Sequence, residues 1–575
     1  MILTINKKYD GIISKILLVI LCTWPLFFIT KGIDYMDSGF YLSHYRYYFD
    51  GCINIAAATE LSDFFGALFY KLLPDAKFLG FRVLDWIANC ITWIFVYKIG
   101  SRSLPKTWSA LAVLIGSIFV RRFPMMLSYN TFSVLLLSIA MYYLQKGIIN
   151  KDNKSIITSG AIIGFNVFFR LPNSLQCIYV LVPFLSLLSL NKEDIKIHAK
   201  FALKQCLYFT IAGFIGLFIG FAICVIFKGL SGTINSIGLT LSLLDEGRHT
   251  TSFMMDRVSK EYISFKQYIF NIEKYPLYML GTGLVFGLVR IFIKDRRILI
   301  FSLVGLILAI IKICSVTIDN LKYIVNITVL APYFISLIVS VISLAFIYKN
   351  REAFTTSLMF ILLMLIFPIG TDNGIMHSCL FMYIILLNIL VSLNGYKIKN
   401  HNINIALQSI FTVFAIVIMI TFGIGGTKNI LLAQSYNDGS YNRQNYYLDI
   451  PELWGMQTVD TRAKAIKSLY DELESAEKYK DRELLMLGNC SLIYTITDYK
   501  PFGREVWADL EHIDKDKIFK QLENSEKKPI VLIEDLDNLQ HSVNYSSHAR
   551  ANELCTKLGY SKVEREFFTI YYPSN

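Results

Sequence analysis

The chain of 575 residues is too apolar for a water-soluble protein of its length, with 54% hydrophobic residues, 17% charged residues and a mean hydropathy of +0.47. A soluble chain of this size divides into several domains with polar surfaces. The net charge of +12 does not indicate a nucleic-acid-binding protein, because the basic residues stand in short loops between apolar runs. The composition predicts an α-helical polytopic membrane protein that contacts membrane lipid and no nucleic acid.

Apolar runs recur from residue 16 to residue 424 and predict about thirteen transmembrane helices. The predicted spans are 16–30, 78–97, 107–120, 131–144, 155–169, 175–190, 205–227, 276–293, 298–316, 323–347, 355–369, 375–393 and 405–424. The first run follows three lysines and contains the bulky sequence Trp24-Pro25-Leu26-Phe27-Phe28, with no small-residue cleavage site after it. We therefore interpret it as a span and not as a signal peptide.

Basic residues concentrate in every second loop, which predicts an orientation. Six loops carry them in succession: Lys98, Arg102 and Lys106; Lys146, Lys151 and Lys154; Lys192, Lys196, Lys200 and Lys204; Lys294, Arg296 and Arg297; Lys349 and Arg351; Lys397 and Lys399. The pattern predicts a multi-pass protein of the inner (plasma) membrane whose N-terminus lies in the cytoplasm. An odd number of spans then places the residues after 424 outside the cytoplasm.

The hydropathy pattern divides the chain into a transmembrane domain at 1–430 and a soluble extracytoplasmic α/β domain at 431–575. The transmembrane domain has two long outer loops, at 31–77 and 228–275. In the first loop, segments 40–49 and 61–73 predict amphipathic helices on the membrane surface. The C-terminal domain is predicted to have strands at 484–487, 530–533 and 567–572, and helices at 461–479 and 548–558.

An acidic motif stands directly after the first span, in the sequence Gly32-Ile33-Asp34-Tyr35-Met36-Asp37-Ser38-Gly39-Phe40-Tyr41-Leu42. One interpretation is structural, because Asp37 suits the N-cap of the helix that follows. The other is catalytic, because a carboxylate at the boundary of water and lipid can take a proton from an acceptor hydroxyl. The residues alone leave both interpretations open.

With this motif, the surface helices of the first loop and the outer C-terminal domain, the chain resembles the GT-C glycosyltransferases. These membrane enzymes include protein O-mannosyltransferases and lipid A aminoarabinose transferases. The resemblance implies transfer of a sugar from a polyprenyl-phosphate donor, with Asp37 as catalytic base and Asp34 as the second candidate. Many members have Asp-Glu where this chain has Asp37-Ser38, so the choice between the two carboxylates stays open. Some members use a divalent metal and others none, so the resemblance names no certain cofactor or metal ligand.

A phosphate leaving group requires cations near the outer face of the membrane. The candidates for donor phosphate binding are Arg121, Arg122, Arg170, Arg248 and Lys312. Each also suits a snorkelling anchor at the membrane interface. The predicted substrate cavity adds Tyr129 and Asn130, next to the short outer loop of Arg121 and Arg122, and Asp372, Asn373 and His377 around the Gly-Thr-Asp-Asn-Gly turn. That turn also suits a simple hairpin, since Asn-Gly favours positive φ.

The resulting hypothesis is an inverting GT-C glycosyltransferase that uses a polyprenyl-phosphate sugar and a glycan, lipid or protein acceptor. One alternative is an O-antigen ligase or polymerase, which usually has a large outer loop between late spans. Another is a flippase or transporter of lipid-linked glycans, which predicts pseudo-symmetric halves. Short late outer loops and the outer α/β domain favour the transferase.

Overall fold

The computed structural model describes residues 6–120, 125–190, 192–245, 275–292, 325–344, 350–369, 373–394, 438–510, 513–535 and 546–574, with short pieces at 256–257, 259–263, 305, 308–309, 434–435 and parts of 402–423. The described part is mostly helical. Its helices in the membrane region are α1 (Lys7–Thr23), α2 (Asp37–Tyr47), α3 (Glu60–Leu72), α4 (Lys77–Gly100), α5 (Lys106–Val120), α6 (Tyr129–Asn150), α7 (Asn153–Asn166), α8 (Val182–Leu185), α9 (Lys192–Asp245), α10 (Tyr275–Phe292), α11 (Val325–Leu344), α12 (Arg351–Ile366) and α13 (Met382–Asn394).

Within the described residues, six helical segments are long and apolar enough to cross a membrane. They are Lys7–Phe28, Pro74–Gly100, Tyr129–Asn150, Leu171–Ser189, Asp194–Leu241 and Gly374–Asn394. A helix pairs its backbone polar groups internally, which is the condition for crossing lipid. The chain is therefore a helical membrane protein. The number of thirteen stays a prediction, because the predicted spans at 298–316 and 405–424 lie partly outside the described residues.

Small residues let two of these helices pack backbone against backbone. A Cβ atom added to Gly164 on α7 would lie 1.8 Å from the carbonyl oxygen of Gly213 on α9. One turn earlier, a Cβ atom on Gly160 would lie 2.3 Å from the carbonyl oxygen of Phe209. Glycines four residues apart are typical of helix contacts inside membranes, where apolar burial does not drive association. The two glycines of α7 thus allow it to pack closely against α9.

The helix α2 is buried between the membrane region and the C-terminal region, and does not lie exposed on a membrane surface as expected for segment 40–49. Its residues Leu42, Ser43 and Tyr45 are buried. The hydroxyl of Ser43 donates to the carbonyl oxygen of Ser491 at 3.0 Å. A Cβ atom on Gly39 would lie 2.2 Å from the backbone nitrogen of Leu492. Packing this close is possible because position 39 has no side chain.

The C-terminal region contains a four-stranded mixed sheet of order β5-β6-β8-β7, preceded by the short strands β1 to β4. Strands β1 (Gln434–Ser435) and β2 (Asp438–Ser440) pair with each other, as do β3 (Tyr446–Tyr447) and β4 (Gln457–Thr458). In the larger sheet, β5 (Leu484–Leu487) and β6 (Ile530–Glu534) are parallel, whereas β8 (Phe568–Tyr572) is antiparallel to β6 and to β7 (Ser561–Glu564). The helices of this region are α14 (Asp460–Ser475), α15 (Ile493–Ile496), α16 (Lys515–Asn524) and α17 (Ser546–Lys557). The three predicted strands and both predicted helices are confirmed.

A buried ion pair connects the C-terminal region to the start of the first outer loop. Asp438 accepts hydrogen bonds from the backbone N–H of Ile33 and from the hydroxyl of Thr458, both at 2.5 Å. Arg462 lies 3.7 Å from the same carboxylate, and both side chains are 1% exposed. Burial raises the pKa of Asp438, and Arg462 opposes that shift. The hydrogen bond from Ile33 to Asp438 therefore holds the residue before Asp34 against the C-terminal region.

Candidate active site

The two carboxylates of the acidic motif have different surroundings. Asp34 is 1% exposed, and its Oδ2 atom accepts the backbone N–H of Ser38 at 2.7 Å and the Ser38 hydroxyl at 3.0 Å. Its Oδ1 atom accepts the backbone N–H of Met36 at 3.2 Å. Asp34 therefore satisfies amides at the beginning of α2, which is the capping role considered for Asp37.

Asp37 is the first residue of α2 and lines a cavity of about 140 Å³, here called the small cavity. Asp85 of α4 lines the same cavity and accepts hydrogen bonds from the Thr131 hydroxyl at 2.7 Å and from the Asn89 amide at 3.1 Å. Tyr41, one helical turn beyond Asp37, also lines it. The small cavity thus collects polar side chains from α2, α4 and α6.

A chain of aromatic and polar contacts leads from Tyr41 to His377. The rings of Tyr41 and Tyr129 meet edge to face at a centroid distance of 5.8 Å. Burial raises the pKa of Tyr41, with further contributions from Tyr129 and Asp37, so the phenol stays protonated as a hydrogen-bond donor. Asn130 follows Tyr129 and lines the small cavity, and its Oδ1 atom lies 3.1 Å from Nε2 of His377.

Arg170 lies at the His377 end of this chain of contacts. Its side chain is buried, and Nη1 and Nη2 donate to the carbonyl oxygens of Phe367 and Ile369, each at 3.1 Å. The guanidinium also lies 4.8 Å from the centroid of the Phe367 ring, on which His377 stacks at 5.3 Å. In the part of the chain that the structure describes, no carboxylate forms a salt bridge with Arg170. A buried cation of this kind favours an anionic ligand.

Arg170 and Tyr129 line a second cavity of about 1040 Å³, here called the large groove. One wall comes from the membrane region and includes Phe40 and His44 of α2. The opposite wall comes from the C-terminal region, from described residues between Phe502 and Ser525. Because Tyr41 lines the small cavity and its contact partner Tyr129 lines the large groove, this pair of tyrosines stands between the two cavities.

The structure thus brings together Asp37, Tyr129, Asn130, Arg170 and His377 from the sequence-predicted set. Asn373 is exposed in the turn before Gly374 and does not line either cavity. Five predicted residues lie outside the described residues: Arg121, Arg122, Arg248, Lys312 and Asp372. Their roles stay predictions.

Several polar residues of the two cavities were missed by the sequence analysis. His44 lines the large groove, and its Nδ1 atom lies 3.4 Å from the buried Asp63 carboxylate. A signal for it existed, because Asp37, Tyr41 and His44 follow the four- and three-residue spacing of one helix face. Glu505 and Trp507 offered no such signal, since they are distant in sequence from α2.

Within the described residues, no group of three or more His, Cys, Asp or Glu side chains converges as a metal site requires. The small cavity contains the carboxylates of Asp37 and Asp85 beside the amide oxygens of Asn89 and Asn130. Oxygen atoms of these types are the ligands that Mg²⁺ and Mn²⁺ prefer. The donor types would suit such an ion, and two carboxylates match the number that usually holds Mg²⁺ together with water and substrate phosphate.

The fold and the site together define a class: a helical membrane protein with an acidic motif after its first span and a buried cation near that motif. Comparison with known families makes the class more specific. The family model of the dolichyl-phosphate-mannose-protein mannosyltransferases matches residues 60–219, from α3 into α9. This match supports the resemblance to the GT-C glycosyltransferases that the motif and layout indicate.

Among solved structures, the chain is similar to the crystal structure of the Archaeoglobus fulgidus oligosaccharyltransferase tethered with an acceptor peptide containing the NVT sequon via a disulfide bond. The sequence identity is 9% and the TM-score is 0.48, over 99% of this chain and 74% of that chain. No curated protein matches the sequence.

Proposed function

We propose that the protein is a membrane glycosyltransferase that moves a sugar from a polyprenyl-phosphate donor to an acceptor hydroxyl on the extracytoplasmic side. The observation that carries the proposal is the arrangement of Asp37 and Arg170 around the paired tyrosines Tyr41 and Tyr129. A carboxylate and a buried cation are the two groups that this displacement requires. The match to a family named for dolichyl-phosphate-mannose supports a lipid-phosphate donor.

Asp37 takes the proton of the acceptor hydroxyl in this proposal. The hydroxyl oxygen attacks the anomeric carbon, and the bond between that carbon and the phosphate oxygen breaks. The lipid phosphate leaves with the bonding electrons, and the new glycosidic bond has inverted configuration because a single displacement occurs. Asp34 does not compete for this role, since its carboxylate accepts hydrogen bonds from Met36 and Ser38.

Arg170 binds the departing phosphate in this proposal. Its guanidinium is held in place by the carbonyl oxygens of Phe367 and Ile369, so it needs no reorganisation as negative charge develops. Tyr129 and His377 stand beside it and supply further polar groups. We assign Arg121, Arg122, Arg248 and Lys312 to the same phosphate-binding role, and Asp372 to the substrate cavity, as predictions from the sequence.

The topology completes the proposal. The N-terminus lies on the cytoplasmic side of the inner membrane. Residues 1–430 form the transmembrane domain, with outer loops at 31–77 and 228–275. Residues 431–575 form the soluble extracytoplasmic domain. The alternation of basic loops supports this orientation. The contact of α2 with Ser491 and Leu492 supports it as well, because the first outer loop and the C-terminal region must then share one side of the membrane.

The test uses the purified full chain in lipid nanodiscs with radiolabelled polyprenyl-phosphate sugars and a delipidated cell-envelope extract as acceptor. We expect the wild type to transfer label and Asp37→Asn to lose transfer at an unchanged melting temperature. Parallel reactions with and without EDTA show whether a divalent ion takes part. The absence of transfer from every polyprenyl-phosphate sugar by the folded wild type would overturn the proposed function.

A further inference from the structure

We propose that the C-terminal wall of the large groove binds a carbohydrate chain, so that the acceptor of the reaction is a glycan. This inference rests on the proposed transferase function and goes beyond it by choosing among glycan, lipid and protein acceptors. The wall consists of described residues between Phe502 and Ser525 that line the groove opposite α2. Three features of this wall carry the inference: an anchored indole, a set of amide and carboxylate side chains, and a constrained backbone turn.

Trp507 is the aromatic surface of the wall. Its Nε1 atom donates to the Oδ1 atom of Asn489 at 3.2 Å, and its ring meets the Phe40 ring at a centroid distance of 6.3 Å. The N–H group is thus satisfied within the protein while the half-buried ring lines the groove. An indole held in this way offers a rigid apolar face, which suits the C–H groups on the face of a sugar ring.

Polar side chains with donor and acceptor capacity line the same groove as the indole. Asn54, Glu505, Gln521 and Asn524 line the same groove. The amide of Asn54 donates to Oε1 of Glu505 at 2.5 Å, which connects the first outer loop to the C-terminal wall. Amides both donate and accept hydrogen bonds, and carboxylates accept them, so together they match the vicinal hydroxyl groups of a sugar.

The backbone that presents Glu505 and Trp507 adopts an uncommon conformation. Gly503 has φ +67° and Arg504 has φ +66°, so two consecutive residues are left-handed. For a residue with a side chain, such as Arg504, this conformation is disfavoured and needs support from its surroundings. The support includes a hydrogen bond from the backbone N–H of Asn54 to the carbonyl oxygen of Arg504 at 2.9 Å. The turn is thus braced against the first loop.

The size and composition of the groove favour a glycan over the other acceptors. Its volume of about 1040 Å³ is at the upper end of the roughly 300–1,000 Å³ of small-molecule pockets, which suits several linked sugar units. A lipid tail requires a continuous apolar wall, whereas Glu505, Asp514 and Lys517 interrupt this one. A peptide often binds by extending a sheet edge, but neither edge strand of the sheet, β5 or β7, contributes a residue to the lining of this groove.

The experiment measures binding of linear trisaccharides of glucose, mannose and N-acetylglucosamine to the full chain in nanodiscs, by isothermal titration without donor. We expect one of the three to bind, and Trp507→Ala to weaken its binding roughly tenfold or more. Trp507→Phe keeps an aromatic face and should restore most of the affinity. Trp454→Ala is the matched control, because Trp454 lies in the same region and is 72% exposed away from the groove.

A second measurement distinguishes the sugar of the acceptor from the sugar of the donor. In the transfer assay, Trp507→Ala should raise the KM for the acceptor and leave the KM for the lipid-phosphate sugar unchanged. A rise in the donor KM alone would overturn the assignment, as would equal trisaccharide binding by Trp507→Ala and Trp454→Ala or no binding by the wild type. Binding without transfer would instead contradict the transferase function, so the two failures are distinguishable.

Discussion

The small cavity and the large groove lie along one helix but are built differently. The small cavity, of about 140 Å³, is lined by residues of the membrane region, among them Asp37, Asp85 and Asn130. The large groove, of about 1040 Å³, has one wall from the membrane region and one from the C-terminal region. The small cavity is below the roughly 300 Å³ at which small-molecule pockets begin. The small cavity has room for a single reacting group, whereas the large groove has room for several linked sugar units.

This difference suggests a division of labour along α2. Asp37 at its first residue faces the small cavity, and His44, two turns later, faces the large groove. Proton transfer requires a carboxylate in a confined site, whereas recognition requires a surface that can bind several sugar units. The paired rings of Tyr41 and Tyr129 separate the two tasks. Substitutions on either side should therefore affect different kinetic constants.

The largest effect is expected for Asp37→Asn in the small cavity. Loss of a general base should lower kcat by roughly 10²- to 10⁴-fold, with trisaccharide binding in the large groove unchanged. Single-turnover transfer of label in nanodiscs measures the chemical step. Full activity of Asp37→Asn would contradict the assignment of the base.

Asp34→Asn is the matched control for this substitution. It replaces a carboxylate that accepts the N–H groups of Met36 and Ser38, so it should lower stability by about 1–3 kcal/mol. The melting temperature should therefore fall, while kcat per folded molecule stays within a few-fold of the wild type. A loss of kcat in Asp34→Asn with an unchanged melting temperature would exchange the two roles.

The next largest effect is expected for Arg170→Gln, at the donor end of the large groove. A hydrogen bond to a charged group contributes about 1.5–3 kcal/mol, so kcat/KM for the donor should fall roughly 10- to 100-fold. Arg170→Lys should retain part of the activity because the charge remains. Arg504→Gln, an exposed arginine on the opposite wall, is the control and should leave the donor KM unchanged. Equal donor kinetics in Arg170→Gln and the wild type would remove Arg170 from the phosphate site.

A smaller effect is expected for Tyr129→Phe, which keeps the ring between the cavities and removes its hydroxyl. Loss of one net hydrogen bond corresponds to about 0.5–1.5 kcal/mol, so kcat should fall roughly two- to tenfold with little change in the acceptor KM. Tyr179→Phe is the control, because it removes a buried hydroxyl that donates to the Met359 carbonyl at 3.0 Å, away from both cavities. If both variants reduce kcat equally, the hydroxyl of Tyr129 has no specific role.

The smallest effect is expected for Glu505→Gln on the C-terminal wall. Burial raises the pKa of Glu505, and the amide of Asn54 partly opposes the shift. The neutral amide keeps the shape but loses one acceptor, so the acceptor KM should rise roughly two- to threefold with kcat unchanged. Glu477→Gln, at an exposed position of the same region, should change neither constant. A change in kcat for Glu505→Gln would show that recognition and chemistry are not divided as described.

Local patterns in the sequence predicted the elements well. The strands at β5, β6 and β8 follow from short runs of apolar residues, and the spans at α4 and α6 from apolar length. The burial of α2 was not predicted, because nothing in residues 40–49 shows that Ser491 and Leu492 cover them. Burial by a distant part of the chain leaves no periodic signal in the segment that it covers.

The residues of the candidate site also differ in whether the sequence alone could predict them. Asp37 was predictable because it stands beside the first span, and Arg170 because an arginine at the end of a span is costly without a function or partner. The proposal of Asp37 over Asp34 required three-dimensional contacts, since both are carboxylates in one short motif. His44, Glu505 and Trp507 form parts of one groove only after residues more than 440 positions apart come together, as in the bond from Ser43 to Ser491.

The close contact of Gly39 with Leu492 can form only after the C-terminal region has been synthesised. The ribosome makes α2 448 residues before its partner segment, as the separation of Ser43 and Ser491 shows. At the usual ~5–20 residues per second, that interval is roughly 20–90 s. For this time the buried face of α2 has no partner from the C-terminal region. Maturation of the site is therefore among the last events of biogenesis.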